Sequence, residues 1–210
     1  RVILDAHSSI SCGPDVGHVA LSMTAADFEA TLGGLHREHF FLEPATVREN
    51  FAQTIAAPME RRAQEHGKKR WADKTAFSIL VFEQLAKLFP DAQFIHVVRD
   101  GRDLAASLIE RRWRAPSGAL FDQCASAAGA GRYWASIVSR GLAAESAAAL
   151  AGRILRIRYE DIAAKPAETV QAICAYVGVS FESAMLTIED REAALAGMEL
   201  ETAGRLRRPI

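Results

Sequence analysis

Three side chains that can bind an anion follow a predicted buried strand. The apolar run of residues 94–98 ends at Arg99, and Ser107 and Arg111 come eight and twelve positions later. Residues four apart share one face of a helix, so Ser107 and Arg111 can converge on a ligand held by Arg99. Guanidinium groups match phosphate oxygens in charge and geometry. The spacing predicts a phosphate site, although a short motif of this kind is also compatible with a solvated arginine-rich face.

The elements around these residues predict where such a site would lie. Residues 94–98 form an uninterrupted β-branched and aromatic run, which is typical of a strand buried on both faces of a parallel sheet. Residues 100–101 break the run, and a helix with an acid in its first turn is predicted from Asp103. A strand, turn and helix of this kind present donors at the carboxyl end of a sheet, where open α/β folds bind ligands.

The rest of the chain alternates helices with short strands. The order predicts an α/β fold with a parallel sheet flanked by helices, as one domain over residues 1–210. Predicted strands lie at 68–73, 94–98 and 153–158, with at most a short strand around Ile10. Three strands are few for such a sheet, so we expect a further strand before Arg1. Predicted helices lie at 1–7, 25–32, 44–66 (with a kink or division at Pro58), 76–89 and 103–112, in an alanine-rich segment that ends at about residue 149, and at 166–177 and 181–191.

Composition excludes several classes of protein. Half of the 210 residues are hydrophobic and the net charge is -1, which indicates a globular chain and argues against a general nucleic-acid or membrane-surface binder. The cysteines at 12, 124 and 174 form no C-x-x-C pair, so we expect no disulfide framework, no metal site and a reducing, cytoplasmic location. No apolar run is long enough to span a membrane, and no signal peptide is visible.

Four blocks of the sequence resemble a known family. Residues 4–13 resemble the segment after a 5'-phosphosulfate loop, and residues 73–77 resemble a lysine-bearing turn. Residues 89–107 resemble a 3'-phosphate site, and residues 158–166 resemble a strand end whose tyrosine lies near adenine. Together, and in this order, they resemble the sulfotransferases that use 3'-phosphoadenosine 5'-phosphosulfate (PAPS), in particular the tyrosylprotein branch and its bacterial relatives.

The resemblance implies a P-loop-type fold and a role for each matched residue. Arg99, Ser107 and Arg111 would bind the 3'-phosphate, and Tyr159 would contact the nucleotide. Lys74 would contact the sulfuryl group or its bridging oxygen. The implied reaction is an in-line transfer of a sulfuryl group from PAPS to a hydroxyl or amine, with no metal. The acceptor would be a small molecule, a glycan or a peptide.

The base is less directly indicated. Small-molecule sulfotransferases have a histidine after the lysine turn, where this chain has residues 75–76. The tyrosylprotein branch has a glutamate after its Cys-Gly, and Asp15 lies at the matching position; His18 is the alternative. A solvated aspartate has a pKa of about 3.9, so Asp15 would need an apolar pocket to act as a base. Arg208, or Arg207, would correspond to a basic residue of a C-terminal loop.

One family feature is absent from the 210 residues. The loop that cradles the 5'-phosphosulfate would end just before Arg1, so we expect it, with the N-terminal strand, to lie upstream. Two other functions are compatible with the pattern: a P-loop kinase, which requires a G-x-x-x-x-G-K-[ST] loop, and a non-catalytic nucleotide-binding protein. Loops 17–42 and 112–118 are predicted to shape the acceptor pocket.

Four further side chains are predicted to be structural. His96 lies inside the predicted central strand, so it is expected to be a hydrogen-bonded core histidine. Trp71, Trp113 and Trp134 can stack on adenine, but core packing is the simpler prediction for each.

Overall fold

The computed structural model of the protein describes residues 1–13, 43–115 and 117–187. The chain divides into two compact units. The first comprises Arg1–Ser78 and Gly178–Ile210, and the second comprises Ile79–Val177. Each unit contains one pair of parallel strands, which confirms the predicted α/β class with parallel pairing.

The first unit is built around strands β1 and β2. Ile10 lies opposite Arg70 and Cys12 lies opposite Ala72, so the two strands run in parallel and end at the same edge. All three residues of β1 are buried. The described elements of this unit are α1 (Val2–Asp5), β1 (Ile10–Cys12), α2 (Pro44–Glu65), β2 (Arg70–Ala72) and a 3₁₀ helix at Ser183–Leu186.

Helix α2 continues through Pro58 without division, so a kink there stays as the remaining part of the prediction. Proline removes one backbone hydrogen bond from a helix interior. Ile55, Ala56 and Ala63 are buried on the same helix, on both sides of the proline in sequence. We attribute the continuity of α2 to this buried face, since apolar burial on either side outweighs the loss of one hydrogen bond.

The second unit is built around strands β3 and β4. Phe94 lies opposite Ile154 and Val98 opposite Arg158, again in parallel. The elements are a 3₁₀ helix at Ala76–Val81, which begins in the first unit, α3 (Phe82–Leu88), β3 (Phe94–Val98), α4 (Gly101–Arg111), α5 (Asp122–Ala125), α6 (Ala127–Ser146), a 3₁₀ turn at Ala148–Leu150, β4 (Ile154–Arg158), α7 (Tyr159–Ala164) and α8 (Pro166–Val177).

Two predicted elements differ from the structure. The helix predicted over residues 76–89 begins as a 3₁₀ helix, and its Phe77 is 49% exposed instead of buried. In β3, Phe94 and His96 are buried, whereas Val97 is 48% exposed. Successive side chains of a strand point to opposite faces, so β3 is buried mainly on the face of Phe94 and His96.

The core of the second unit includes a cluster between α4, α5 and α6. Its buried members are Leu108, Cys124 and Ala130. His96 is also buried and its Nδ1 lies 2.7 Å from Oε1 of Glu145, which confirms the prediction of a hydrogen-bonded core histidine. Helix α6 approaches β3 so closely at Gly141 that a Cβ there would lie 2.2 Å from Cε1 of His96.

Several predictions fall partly or wholly outside the described residues. These are the helix at 25–32, the loop at 17–42 and the chain beyond residue 187. Within the described ranges, no helix is long and apolar enough to cross a membrane. All three cysteines are buried thiols.

Candidate functional site

The register of β3 and β4 brings two predicted site residues together. Val98 and Arg158 are the last paired residues, so Arg99 and Tyr159 follow at the same sheet edge. The Arg99 guanidinium carbon lies 4.8 Å from the centroid of the Tyr159 ring. The Nε of Arg99 is buried and has no hydrogen-bond partner among the described residues. Within the same part of the chain, no carboxylate forms an ion pair with this guanidinium.

The turn that carries Arg99 is held by Trp134, for which core packing was the simpler prediction, and by Glu160. Trp134 of α6 donates its indole N–H to the Arg99 carbonyl oxygen at 2.8 Å. Glu160 of α7 accepts a hydrogen bond from the Asp100 backbone N–H at 2.7 Å. Gly101 permits the close approach of the indole, since a Cβ there would lie 3.0 Å from Cδ2 of Trp134.

Charged side chains cap the helix that follows. The Asp100 carboxylate accepts hydrogen bonds from the Arg102 backbone N–H at 2.8 Å and from two of its guanidinium nitrogens at 3.0 and 2.8 Å. These bonds hold the pKa of Asp100 well below its usual range. The Asp100 N–H likewise lowers the pKa of Glu160. Both carboxyl groups are therefore anionic at neutral pH, and the Arg102 guanidinium is paired with Asp100, the N-cap residue of α4.

Ser107 and Arg111 both lie on α4, as their spacing predicts. Leu108 of the same helix is buried, Ser107 is half-buried and Arg111 is exposed. The Ser107 hydroxyl makes no hydrogen bond within the described part of the chain. The Arg111 guanidinium lies 5.5 Å from the ring centroid of Trp113. Trp113 was predicted to pack in the core, but its side chain is 44% exposed. Phosphate binding by Arg99, Ser107 and Arg111 stays a prediction.

Lys74 lies at the corresponding edge of the first unit. Cys12 and Ala72 are the last paired residues of β1 and β2, so Gly13 and Asp73 follow at one edge. The Asp73 carboxylate accepts hydrogen bonds from the hydroxyls of Ser78 at 3.0 Å and Thr75 at 3.3 Å. The turn is thereby fixed by its own side chains, while Lys74 is exposed. Its catalytic role stays a prediction.

The backbone after β1 is closely packed. Gly13 is buried, and a Cβ there would lie 3.0 Å from Nε of Arg62. Burial raises the pKa of the neighbouring Cys12 thiol, which keeps it protonated and unreactive. The predicted bases Asp15 and His18 lie outside the described residues, and so do the predicted basic residues Arg207 and Arg208.

A cleft in the first unit and the distribution of possible metal ligands were also compared with the predicted site residues. A cleft of about 430 Å³ in the first unit is lined by Glu60, Ala63 and Gln64 of α2 and by residues 68–71, and Lys74 is not part of its lining. In the described ranges, no three histidine, cysteine, aspartate or glutamate side chains converge as a metal site.

The long-range contacts of Trp134 and Glu160 had no signal in the sequence. A glycine at the first position of a helix does not reveal which aromatic residue packs against it. The bond between Glu160 and Asp100 joins residues 60 positions apart. The sequence indicated a function near Glu160 only through its neighbour Tyr159, which belongs to the block of residues 158–166 that resembles the sulfotransferases.

These observations define a class of protein: parallel strand pairs in an α/β fold, with cationic side chains at the carboxyl ends of strands. The sequence profile of the sulfotransferase family matches residues 1–183, and the chain belongs to this family. The resemblance drawn from the four blocks is thus confirmed.

Known proteins of the family show the extent of the similarity. Protein-tyrosine sulfotransferase 1 of Danio rerio is 24% identical over 225 residues, which cover 98% of this chain and 56% of the relative. The chain therefore spans little more than half the length of that relative. The sulfotransferase domain from the curacin biosynthetic pathway matches with a TM-score of 0.57 at 18% identity, over 88% of this chain and 70% of that one. The sulfotransferase domain of a Synechococcus olefin synthase matches over the same shares with a TM-score of 0.52 at 19% identity. The two structures share the fold.

Proposed function

We propose that the protein transfers a sulfuryl group from PAPS to a hydroxyl or amine acceptor. The observation that carries the proposal is the Arg99 guanidinium, which lies beside Tyr159 at a sheet edge with no carboxylate partner among the described residues. A charge without a protein partner is costly to hold at a partly buried position unless a ligand compensates it. Family membership supports an anionic sulfate donor as that ligand.

The nucleotide end of the donor binds in the second unit. Arg99 and Arg111 supply charge for the 3'-phosphate, and the Ser107 hydroxyl supplies a neutral donor. The Tyr159 ring is 47% exposed, so it offers a face to the nucleotide as well as to Arg99.

The transfer step is a displacement at sulfur. The acceptor oxygen or nitrogen forms a bond to sulfur, and the bond from sulfur to the bridging oxygen breaks, which releases adenosine 3',5'-bisphosphate (PAP). Lys74 stabilises the negative charge that develops on the bridging oxygen, since its compact ammonium acts as a point charge. Asp15, or His18 as the alternative, takes the proton of the acceptor.

The name of one relative suggests which acceptor to test first. The Danio rerio relative is named for protein tyrosine, so a tyrosine-containing peptide is the first acceptor to test. A phenol has a pKa of about 10, well below that of an aliphatic alcohol, so less help from a base is needed. Small-molecule and glycan hydroxyls are the other candidates.

A transfer assay with the full-length protein tests this proposal. The protein is incubated with PAPS and, in turn, a tyrosine peptide, a simple phenol, a sugar and an amine, and both PAP release and sulfation of the acceptor are measured by mass spectrometry. Lys74→Ala is expected to lower kcat about a hundredfold or more, as the loss of one group that stabilises the transition state does. The matched control is Lys69→Ala, which removes another exposed lysine of the first unit. Absence of transfer to every acceptor, or full activity of Lys74→Ala, would contradict the proposal.

A further inference from the structure

Two observations bear on the direction of the Arg99 side chain. Its Nε is buried without a hydrogen-bond partner among the described residues, and the contact with the Tyr159 ring restrains a distance more than an angle. A guanidinium binds a phosphate through two parallel hydrogen bonds only when its plane faces the oxygens. The direction of the Arg99 side chain therefore depends on how firmly its backbone is held.

Trp134 holds that backbone by two kinds of contact. Its indole N–H donates to the Arg99 carbonyl oxygen at 2.8 Å, which fixes the peptide plane that follows Arg99. Its ring packs against the helix start at Gly101, where an added Cβ would lie 3.0–3.3 Å from three ring carbons. Glu160 fixes the same peptide from the other side, because its carboxylate accepts the Asp100 N–H at 2.7 Å.

We propose that Trp134 is a positioning residue for Arg99, so that the indole N–H determines how well the protein recognises the 3'-phosphate of its nucleotide. The inference rests on the proposed function, in which Arg99 binds that phosphate. Trp134 acts through the Arg99 backbone and does not have to touch the ligand. A misplacement of about 1 Å can lower the rate of an enzyme about a hundredfold. Loss of the hydrogen bond that holds the Arg99 backbone is therefore expected to have a measurable effect.

The test compares two nucleotides that differ at the 3' position. Calorimetry gives the Kd of PAP and of adenosine 5'-monophosphate (AMP), which lacks the 3'-phosphate, for the full-length protein. Trp134→Phe removes the N–H and keeps an aromatic ring. We expect this variant to raise the Kd of PAP roughly tenfold and to leave the Kd of AMP unchanged. The tenfold change is smaller than the effect of losing the charge-assisted phosphate contacts altogether. The matched control is Tyr133→Phe, which removes one polar group from the adjacent residue of α6 and should leave both Kd values unchanged.

A second variant covers the case in which Trp134→Phe folds poorly. Gly101→Ala keeps the indole but places a methyl group 3.0 Å from it, so the ring has to move. Alanine is a better helix former than glycine, so this variant is not expected to weaken the helix itself. If the preference for PAP over AMP falls while the melting temperature does not, the displaced indole is the cause.

The outcomes separate this inference from the proposed function. If Trp134→Phe or Gly101→Ala has a smaller ratio of the Kd of AMP to the Kd of PAP than the unmodified protein, Trp134 positions Arg99. If the unmodified protein prefers PAP and both variants keep the full preference, the inference is wrong and the proposed function stands. Equal weakening of PAP and AMP would show a merely structural role and also overturn the inference. If the unmodified protein does not distinguish PAP from AMP, the proposed function fails and the inference fails with it.

Discussion

The guanidinium of Arg99 lies 4.8 Å from the ring centroid of Tyr159, one residue beyond the last paired positions of their two strands. The contact joins residues that are 60 positions apart in sequence, and the parallel register of β3 and β4 is sufficient to bring them together. A shift of one residue in that register would turn the side chains to opposite faces of the sheet. Strand pairing thus brings the two candidate nucleotide-binding residues together.

Replacing Tyr159 tests the contribution of this contact. Tyr159→Leu removes the aromatic face, and cation–π contacts at partly exposed positions contribute about 0.5–1 kcal/mol. We expect PAP binding to weaken roughly two- to fivefold, whereas Tyr159→Phe, which keeps the ring, should retain most of the affinity. Calorimetry on both variants is the measurement. Equal affinities for the leucine and phenylalanine variants would show that the ring does not contribute.

The close approach of α6 to β3 predicts a large effect on stability. In Gly141→Ala the new Cβ would lie 2.2–2.9 Å from three atoms of the His96 imidazole, so the helix or the ring has to move. We expect a loss of about 1–3 kcal/mol in the free energy of unfolding, as for overpacked cores. Urea unfolding is the measurement.

A second glycine of the same helix provides the control. Gly131 is exposed, and no atom of the described residues lies within 4 Å of an added Cβ there. Gly131→Ala should therefore stabilise the protein by about 0.5–1 kcal/mol, because alanine loses less conformational entropy in a helix. If both variants were equally stable, the close packing of Gly141 against His96 would be disproved.

An acid-sensitive contact is predicted in the first unit. The Ser8 hydroxyl and backbone N–H donate to the two carboxylate oxygens of Glu182 at 2.5 and 2.8 Å, and the hydroxyl contributes most to lowering the pKa of Glu182. The folded pKa lies below the unfolded value of about 4.3, so the contact stabilises the protein above that pH and is lost as the pH falls through the folded pKa.

Urea unfolding across a pH series measures this effect. Glu182→Gln should be less stable than the unmodified protein at pH 7, and the difference should shrink in acid below about pH 4. Glu49→Gln, at an exposed position of α2, serves as the control and should show no such trend. A difference between the Glu182 variant and the unmodified protein that stays constant down to strongly acidic pH would rule out the assigned contact.

The sequence predicts those parts of the fold that depend on local signals. Strand β3 is an apolar run bounded by turn formers, and helix α8 begins at Pro166 and ends before Gly178, whose φ of +73° is strained for any other residue. Such features are determined by neighbouring residues, so β3, β4 and α8 could be located closely.

Long-range features could not be predicted in the same way. The 3₁₀ geometry of Ala76–Val81 and the exposed face of Val97 depend on which elements pack nearby, and a single sequence does not show this. The same holds for Trp134, whose indole N–H reaches a carbonyl 35 residues away. Arg99 was predicted as a site residue because a strand end followed by a turn is a local pattern with known chemistry, whereas Lys74 was predicted from the family resemblance.

The central claim is that Arg99 binds the 3'-phosphate of the donor nucleotide. The most direct measurement is the Kd of PAP relative to that of AMP, by calorimetry, for the full-length protein and for Arg99→Ala. Arg132→Ala, which breaks a surface ion pair with Asp122, is the matched control. We predict that the unmodified protein and the control prefer PAP, and that Arg99→Ala loses about 2–3 kcal/mol of PAP affinity with AMP affinity unchanged. Retention of the full PAP preference by Arg99→Ala would contradict the account.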